Sequence, residues 1–109
     1  MFHNIKMKVI KTAPNGIVNS ETIFEFTQNE NVVTANYAGG KISKGFLVGN
    51  LNQENLKFTY CQMRMDGLMD HGESSCTISK ENGKITLTEH FEMTTDSELA
   101  QGVNVFQEL

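Results

Sequence analysis

The sequence predicts an all-β fold: an eight-stranded antiparallel up-and-down meander, closed into one small barrel over residues 1–109. Two observations predict it. Turn chemistry recurs at roughly ten- to fifteen-residue spacing, at Asn15-Gly16, Asn29-Glu30-Asn31, Gly39-Gly40, Asn52-Gln53-Glu54-Asn55, Asp66-Gly67, Asn82-Gly83 and Thr95-Asp96-Ser97. Between the turns, almost every segment alternates apolar with polar residues, the period of a half-buried strand. The strands so marked run over about 5–11, 22–28, 32–38, 41–51, 56–64, 68–79, 84–94 and 101–108. Closing eight strands into a barrel removes the exposed edges that would otherwise invite aggregation.

The first strand is followed by Pro14 beside Asn15-Gly16, a loop signature. Residues 17–22 are read as a short helical turn capped by Asn19 or Ser20. The second strand sends Phe24 and Phe26 inward, and the third Val33, Ala35 and Tyr37. The fourth sends Gly45, Leu47, Gly49 and Leu51. A four-residue loop at 52–55 pairs Leu51 with Leu56, so the fifth sends Leu56, Phe58, Tyr60 and Gln62. A two-residue turn at Asp66-Gly67 would reverse that assignment. A three-residue loop, Met65-Asp66-Gly67 with Gly67 in the left-handed region, preserves it and pairs Gln62 with Asp70. The sixth strand then sends Asp70, Gly72, Ser74, Cys76 and Ile78 inward. Asn82-Gly83 suits a two-residue type I′ turn and places Cys76 opposite Glu89. The seventh strand turns Ile85, Leu87, Phe91 and Met93 inward and Thr86, Thr88, His90, Glu92 and Thr94 outward. One in/out assignment thus satisfies six consecutive strands, and that consistency is itself support for the meander.

Composition bounds the function classes. An apolar fraction of 39% and a net charge of −4 suit a folded globular chain rather than a disordered one. The lysines form no basic run and the balance is acidic, which argues against a nucleic-acid partner. No stretch approaches the ~18 apolar residues of a membrane span. Met1 to Lys6 carries no apolar leader core, so the cytoplasm is the expected location.

Glu89 is the sharpest anomaly, a carboxyl at an inward position between Leu87 and Phe91. A carboxylate there loses solvation. It serves either as a ligand anchor or general acid/base, or as a structural group bonded to a Tyr hydroxyl or backbone N–H. Tyr37, Tyr60, Gln62, Asp70 and Ser74 are further inward polar groups, with Phe24, Phe58 and Phe91 as an apolar wall. Together they compose a small-molecule site, unless the rings simply fill a narrow core. Cys61 and Cys76 fall on opposite faces, which excludes a disulfide between them, and Cys61 meets only His71 across its hairpin. His3, His71 and His90 show no metal-ligand spacing. Neither a metal nor a cofactor is expected.

The segments Ser20-Glu21-Thr22-Ile23-Phe24, Tyr37-Ala38-Gly39-Gly40-Lys41-Ile42, Lys44-Gly45-Phe46-Leu47-Val48-Gly49, Asn82-Gly83-Lys84-Ile85 and Glu89-His90-Phe91 carry a resemblance. They resemble a family of short bacterial proteins often labelled N-acetylglutamate synthase, from about residue 15 to the end. The label implies acetyl transfer from acetyl-CoA to glutamate, for which Glu89 and Tyr60 are the first candidates by position. The chain lacks the Gly-rich loop opening a helix on which acetyltransferases seat the CoA pyrophosphate. The predicted barrel is also similar in shape to lipocalins and the wider calycin group. Three readings follow: a barrel binding a small molecule inside, an acyltransferase, or a packed barrel acting as an oligomerisation or interaction module. The last would use outward Ile42, Phe46, Val48 and Met63.

Overall fold

In a computed structural model describing residues 1–109, every strand pairs with the next in sequence and the last returns to the first. The strands are β1 (Ile5–Lys11), β2 (Ile23–Asn29), β3 (Val32–Gly39), β4 (Ile42–Asn52), β5 (Asn55–Arg64), β6 (Met69–Glu81), β7 (Lys84–Thr95) and β8 (Glu98–Glu108). Antiparallel β1–β8 pairing, Met7 opposite Glu108 and Val9 opposite Phe106, closes the barrel.

The turn chemistry sets the registers. Asn82 and Gly83 both take positive φ, +54° and +77°, the signature of a type I′ turn. Cys76 therefore faces Glu89, and Ser74 faces Phe91. The loop 65–67, with Gly67 at φ +92°, puts Gln62 opposite Asp70 and Tyr60 opposite Gly72. Leu51 pairs with Leu56 as expected, although the turn is tighter than the sequence suggests, because Asn52 and Asn55 also pair.

Four expectations are corrected. Residues 17–22 form no helix: Asn19 accepts a bond from the Glu21 amide through Oδ1 and one from the Thr22 amide through its carbonyl, a side-chain-closed turn. Ile42 is buried, not outward, because a bulge between Ile42 and Lys44 shifts the side-chain alternation by one residue. Thr86 points to the outer face yet is buried, since Gln107 of β8 reaches its hydroxyl at 3.3 Å. β8 begins at Glu98, three residues early, on a two-residue Asp96-Ser97 turn.

Phe2, fully buried, closes the end of the barrel that carries the chain termini, its ring 5.4 Å from that of Phe26. The opposite end holds the β1–β2 connection, residues 12–22, the one connection longer than a tight turn. Ala13 and Val18 from this connection are buried. Outside, Lys6, Lys8, Glu25, Glu73 and Glu92 are exposed, and the inside is mostly apolar, the reverse of a water-filled transmembrane barrel. No helix of the chain is long and apolar enough to cross a membrane.

Eight strands leave an interior about one layer of side chains wide. Bulky rings fit because glycines lie across from them. Gly45 pairs with Tyr37, and a Cβ at position 45 would overlap the Tyr37 ring. Gly102 faces Phe91 in the same way, with the ring edge 2.7 Å from where a Cβ would stand. Gly45→Ala should therefore lower unfolding free energy in urea by about 1–3 kcal/mol, as overpacked cores do, and trimming the ring in Gly45→Ala/Tyr37→Leu should recover part of it. Equal stability of the Ala variant and the parent would remove the packing argument.

Candidate ligand site

Two buried carboxyls enter the barrel, and the strands deal with them differently. Asp70, the second residue of β6, is fully buried. Arg64, at the end of β5, reaches it with Nε at 3.0 Å and Nη2 at 2.8 Å, a two-point ion pair. Gln62 donates to Asp70 at 2.9 Å and accepts the Tyr37 hydroxyl at 2.7 Å, while Thr95 donates to Asp70 from β7. Burial pushes the Asp70 carboxyl up, and the bonds from Arg64, Gln62 and Thr95 together overcome it and hold it below its ordinary value.

Glu89 stands at the middle of β7, 5% exposed, and has no cationic partner. Its Oε2 accepts the Ser74 hydroxyl at 2.6 Å and its Oε1 accepts the Asn104 amide at 3.0 Å. Asn104 in turn accepts the backbone N–H of Ala13 at 2.8 Å. A hydrogen-bonded line thus runs from the barrel centre into the connection that covers its mouth. Burial raises the Glu89 carboxyl above its ordinary value, against smaller opposing effects of Ser74, Asn104 and His90. Burial likewise raises Cys76 and both tyrosines, with Glu89 adding to each. The inner thiol and phenols are therefore neutral at physiological pH.

A cavity of about 30 Å3 lies at the connection end, with Phe24, Tyr37, Phe58, Tyr60, Gln62, Glu89 and Phe91 among its lining. Gly16, Ile17 and Val18 cover it. That volume suits a water or two and lies well below the roughly 300–1,000 Å3 of a drug-sized pocket. Most candidate residues thus meet at one cavity. Ser74 lies behind it, bonded to Glu89, and Asp70 is committed to Arg64. The Tyr60 hydroxyl has only a long 3.4 Å bond to the Glu92 carbonyl, the weakest polar engagement in the wall.

Two groups of the candidate site, Arg64 of β5 and Asn104 of β8, lie outside the set the sequence analysis picks out. Arg64 continues the inward parity of Phe58, Tyr60 and Gln62, so the signal for an Asp70 partner was present. Asn104 pairs with Glu89 across β7–β8, which a two-residue turn at Asp96-Ser97 reveals. Outside, Cys61 is an exposed free thiol opposite His71, and Cys76 is buried and free. No cluster of His, Cys, Asp and Glu is arranged to hold a metal. Phe46 and Val48 are exposed, but Met63 is only partly so and Ile42 is inside.

The Glu89 shift fixes a sign. A carboxyl raised on folding contributes stability that is fully present below its unfolded value, about 4.3, and is lost as pH rises through the folded value. Glu89→Gln removes that loss. The variant and parent should melt alike near pH 4, with the variant increasingly higher as pH rises to the folded value of Glu89 and the gap constant above it; each kcal/mol reads as roughly 4–8 °C in Tm at this size. A pH-independent difference in Tm would show that Glu89 is not held neutral by burial.

A family model described as "Avidin-like protein" matches residues 1–109. No curated protein and no solved structure matches the chain.

Proposed function

The chain belongs to the avidin-like family, a calycin-type barrel, and on that footing we propose that it binds a small molecule at the connection end of its interior. Barrels of this family take small ligands. The observation that carries the reading here is the convergence of Tyr37, Tyr60, Gln62, Glu89 and Asn104 on one cavity with aromatic walls. A few placed polar groups in an apolar lining are the usual make-up of a ligand site.

The cavity is small because Ile17 and Val18 sit over it. A ligand larger than a few atoms enters by displacing this segment, which belongs to the least regular part of the chain. Asn104 is the latch in this reading, because it ties Ala13 to Glu89. The other readings have less support. Acetyl transfer requires a seat for the CoA pyrophosphate, and the eight strands supply no helix N-terminus for it. The interaction-module reading loses Ile42 from its patch. No cofactor or metal enters the proposal, and assembly into homo-oligomers is compatible with it.

Native mass spectrometry of protein purified from its own host should show one small molecule per barrel. Asn104→Ala should weaken its retention at least tenfold and speed hydrogen exchange at the Ala13 amide, with the circular dichroism of the barrel unchanged. Unliganded parent protein, together with unchanged exchange over residues 13–18 in the variant, would count against both the ligand and the latch.

A further inference from the structure

The two inward carboxyls differ in one respect that the packing does not require. Asp70 has Arg64; Glu89 has no counter-charge. The titratable groups facing Glu89 are Tyr37 from β3, Tyr60 from β5 and Cys76 from β6. All are acids or neutral. From its own strand Lys84 and His90 are basic, and both are exposed on the outside. β8 offers Asn104 and Phe106, both uncharged. Glu89 is thus a single acidic centre without a cation, in the wall of a cavity.

We propose that the ligand is a small organic monocation, a protonated amine or amidine, whose charge pairs with Glu89 inside the aromatic wall. The proposal rests on the ligand-binding reading of this same cavity and names its chemistry. Three features point the same way. First, Ser74 and Asn104 each donate to a different Glu89 oxygen, the environment of a carboxylate rather than of a carboxylic acid. Such a group ionises readily once a cation offsets its desolvation. Second, Phe24, Phe58, Phe91, Phe106, Tyr37 and Tyr60 line the cavity, and aromatic faces attract cations, most strongly where water is excluded. Third, an anionic ligand would hold Glu89 in its protonated form, because beside the ionised carboxyl two like charges repel strongly in a medium that excludes water. The cavity of about 30 Å3 admits the charged head alone, so any longer body lies along the path that Ile17 and Val18 now fill.

Proton linkage makes the idea decidable. Burial raises the Glu89 carboxyl, so below its folded value the unliganded barrel carries a proton there. Binding a cation ionises it, and the proton leaves to solvent. Affinity therefore rises about tenfold per pH unit below the folded pKa of Glu89 and is flat above it. A neutral ligand that accepts a bond from the protonated carboxyl has the opposite slope.

The experiment is isothermal titration with n-butylammonium, butyramide and butyrate, from pH 5.5 to 8.5, in buffers of different ionisation enthalpy, with amide exchange followed over residues 13–18. The expected result is preference for n-butylammonium, release of up to one proton at the acidic end, and at least tenfold weaker binding to Glu89→Gln with any butyramide binding unaffected. The slope is read on the parent protein, so a poorly folding variant leaves the test intact. Preference for butyramide or butyrate, or affinity that falls with pH, would overturn the cation while leaving the cavity a ligand site. Binding of none of the three, with exchange over 13–18 unmoved, would overturn the ligand site itself.

Discussion

The structure depends on how little room an eight-stranded barrel leaves inside. Strand number sets the diameter, and the diameter admits about one layer of side chains. Each inward position is therefore chosen against the one across from it. Tyr37 fits because position 45 has no side chain, and Phe91 fits because position 102 has none. Phe24 stacks on Tyr37 at 4.2 Å and meets Phe106 edge-on at 4.7 Å, so the second, third and eighth strands are locked through rings as well as ladders. The same narrowness explains why every buried polar side-chain atom has a partner. An unpaired polar group in so thin a core would have no water to turn to.

Against that background the two acidic side chains mark a division of labour along the axis. Asp70 lies where Arg64 can keep its own stem near solvent and still reach in; the Arg64 side chain is 18% exposed. The pair ties β5, β6 and, through Thr95, β7 near one rim. Glu89 lies deeper, where only short neutral donors reach it. A carboxyl that is satisfied but not neutralised is a poor choice for stability alone, since an apolar residue of similar volume would avoid the desolvation cost. Its place is in the cavity wall, where the proposed ligand would offset that cost.

Most of this architecture was legible because side-chain alternation and turn length are both written locally. Asn82-Gly83 alone fixes which residues of β6 face Glu89, and Gly67 decides the face of Gln62. What escaped depended on irregularity or distance. Nothing in the residues Ile42-Ser43-Lys44 marks a bulge, so alternation alone places Ile42 on the outer face. The Asn104–Ala13 bond joins positions 91 residues apart, and no periodicity encodes such a contact. Arg64, by contrast, is legible from alternation, two residues beyond Gln62 on the same face of β5. The cavity's size was illegible for a different reason: it depends on where Ile17 and Val18 settle, in a connection with no repeating pattern.

The pairing of β1 with β8 has a kinetic side. Every other ladder joins neighbours in the chain, and all but β1–β2 do so over a short loop with a small closure entropy. Met7 and Glu108 must meet across almost the whole sequence, and β1 is linked to β2 by the longest connection. The meander from β2 to β8 can therefore assemble hairpin by hairpin, with the first strand arriving last to shut the sheet. The Ala13–Asn104 bond extends that late seam into the connection whose Ile17 and Val18 cover the interior. Completing the fold and sealing the cavity are one event.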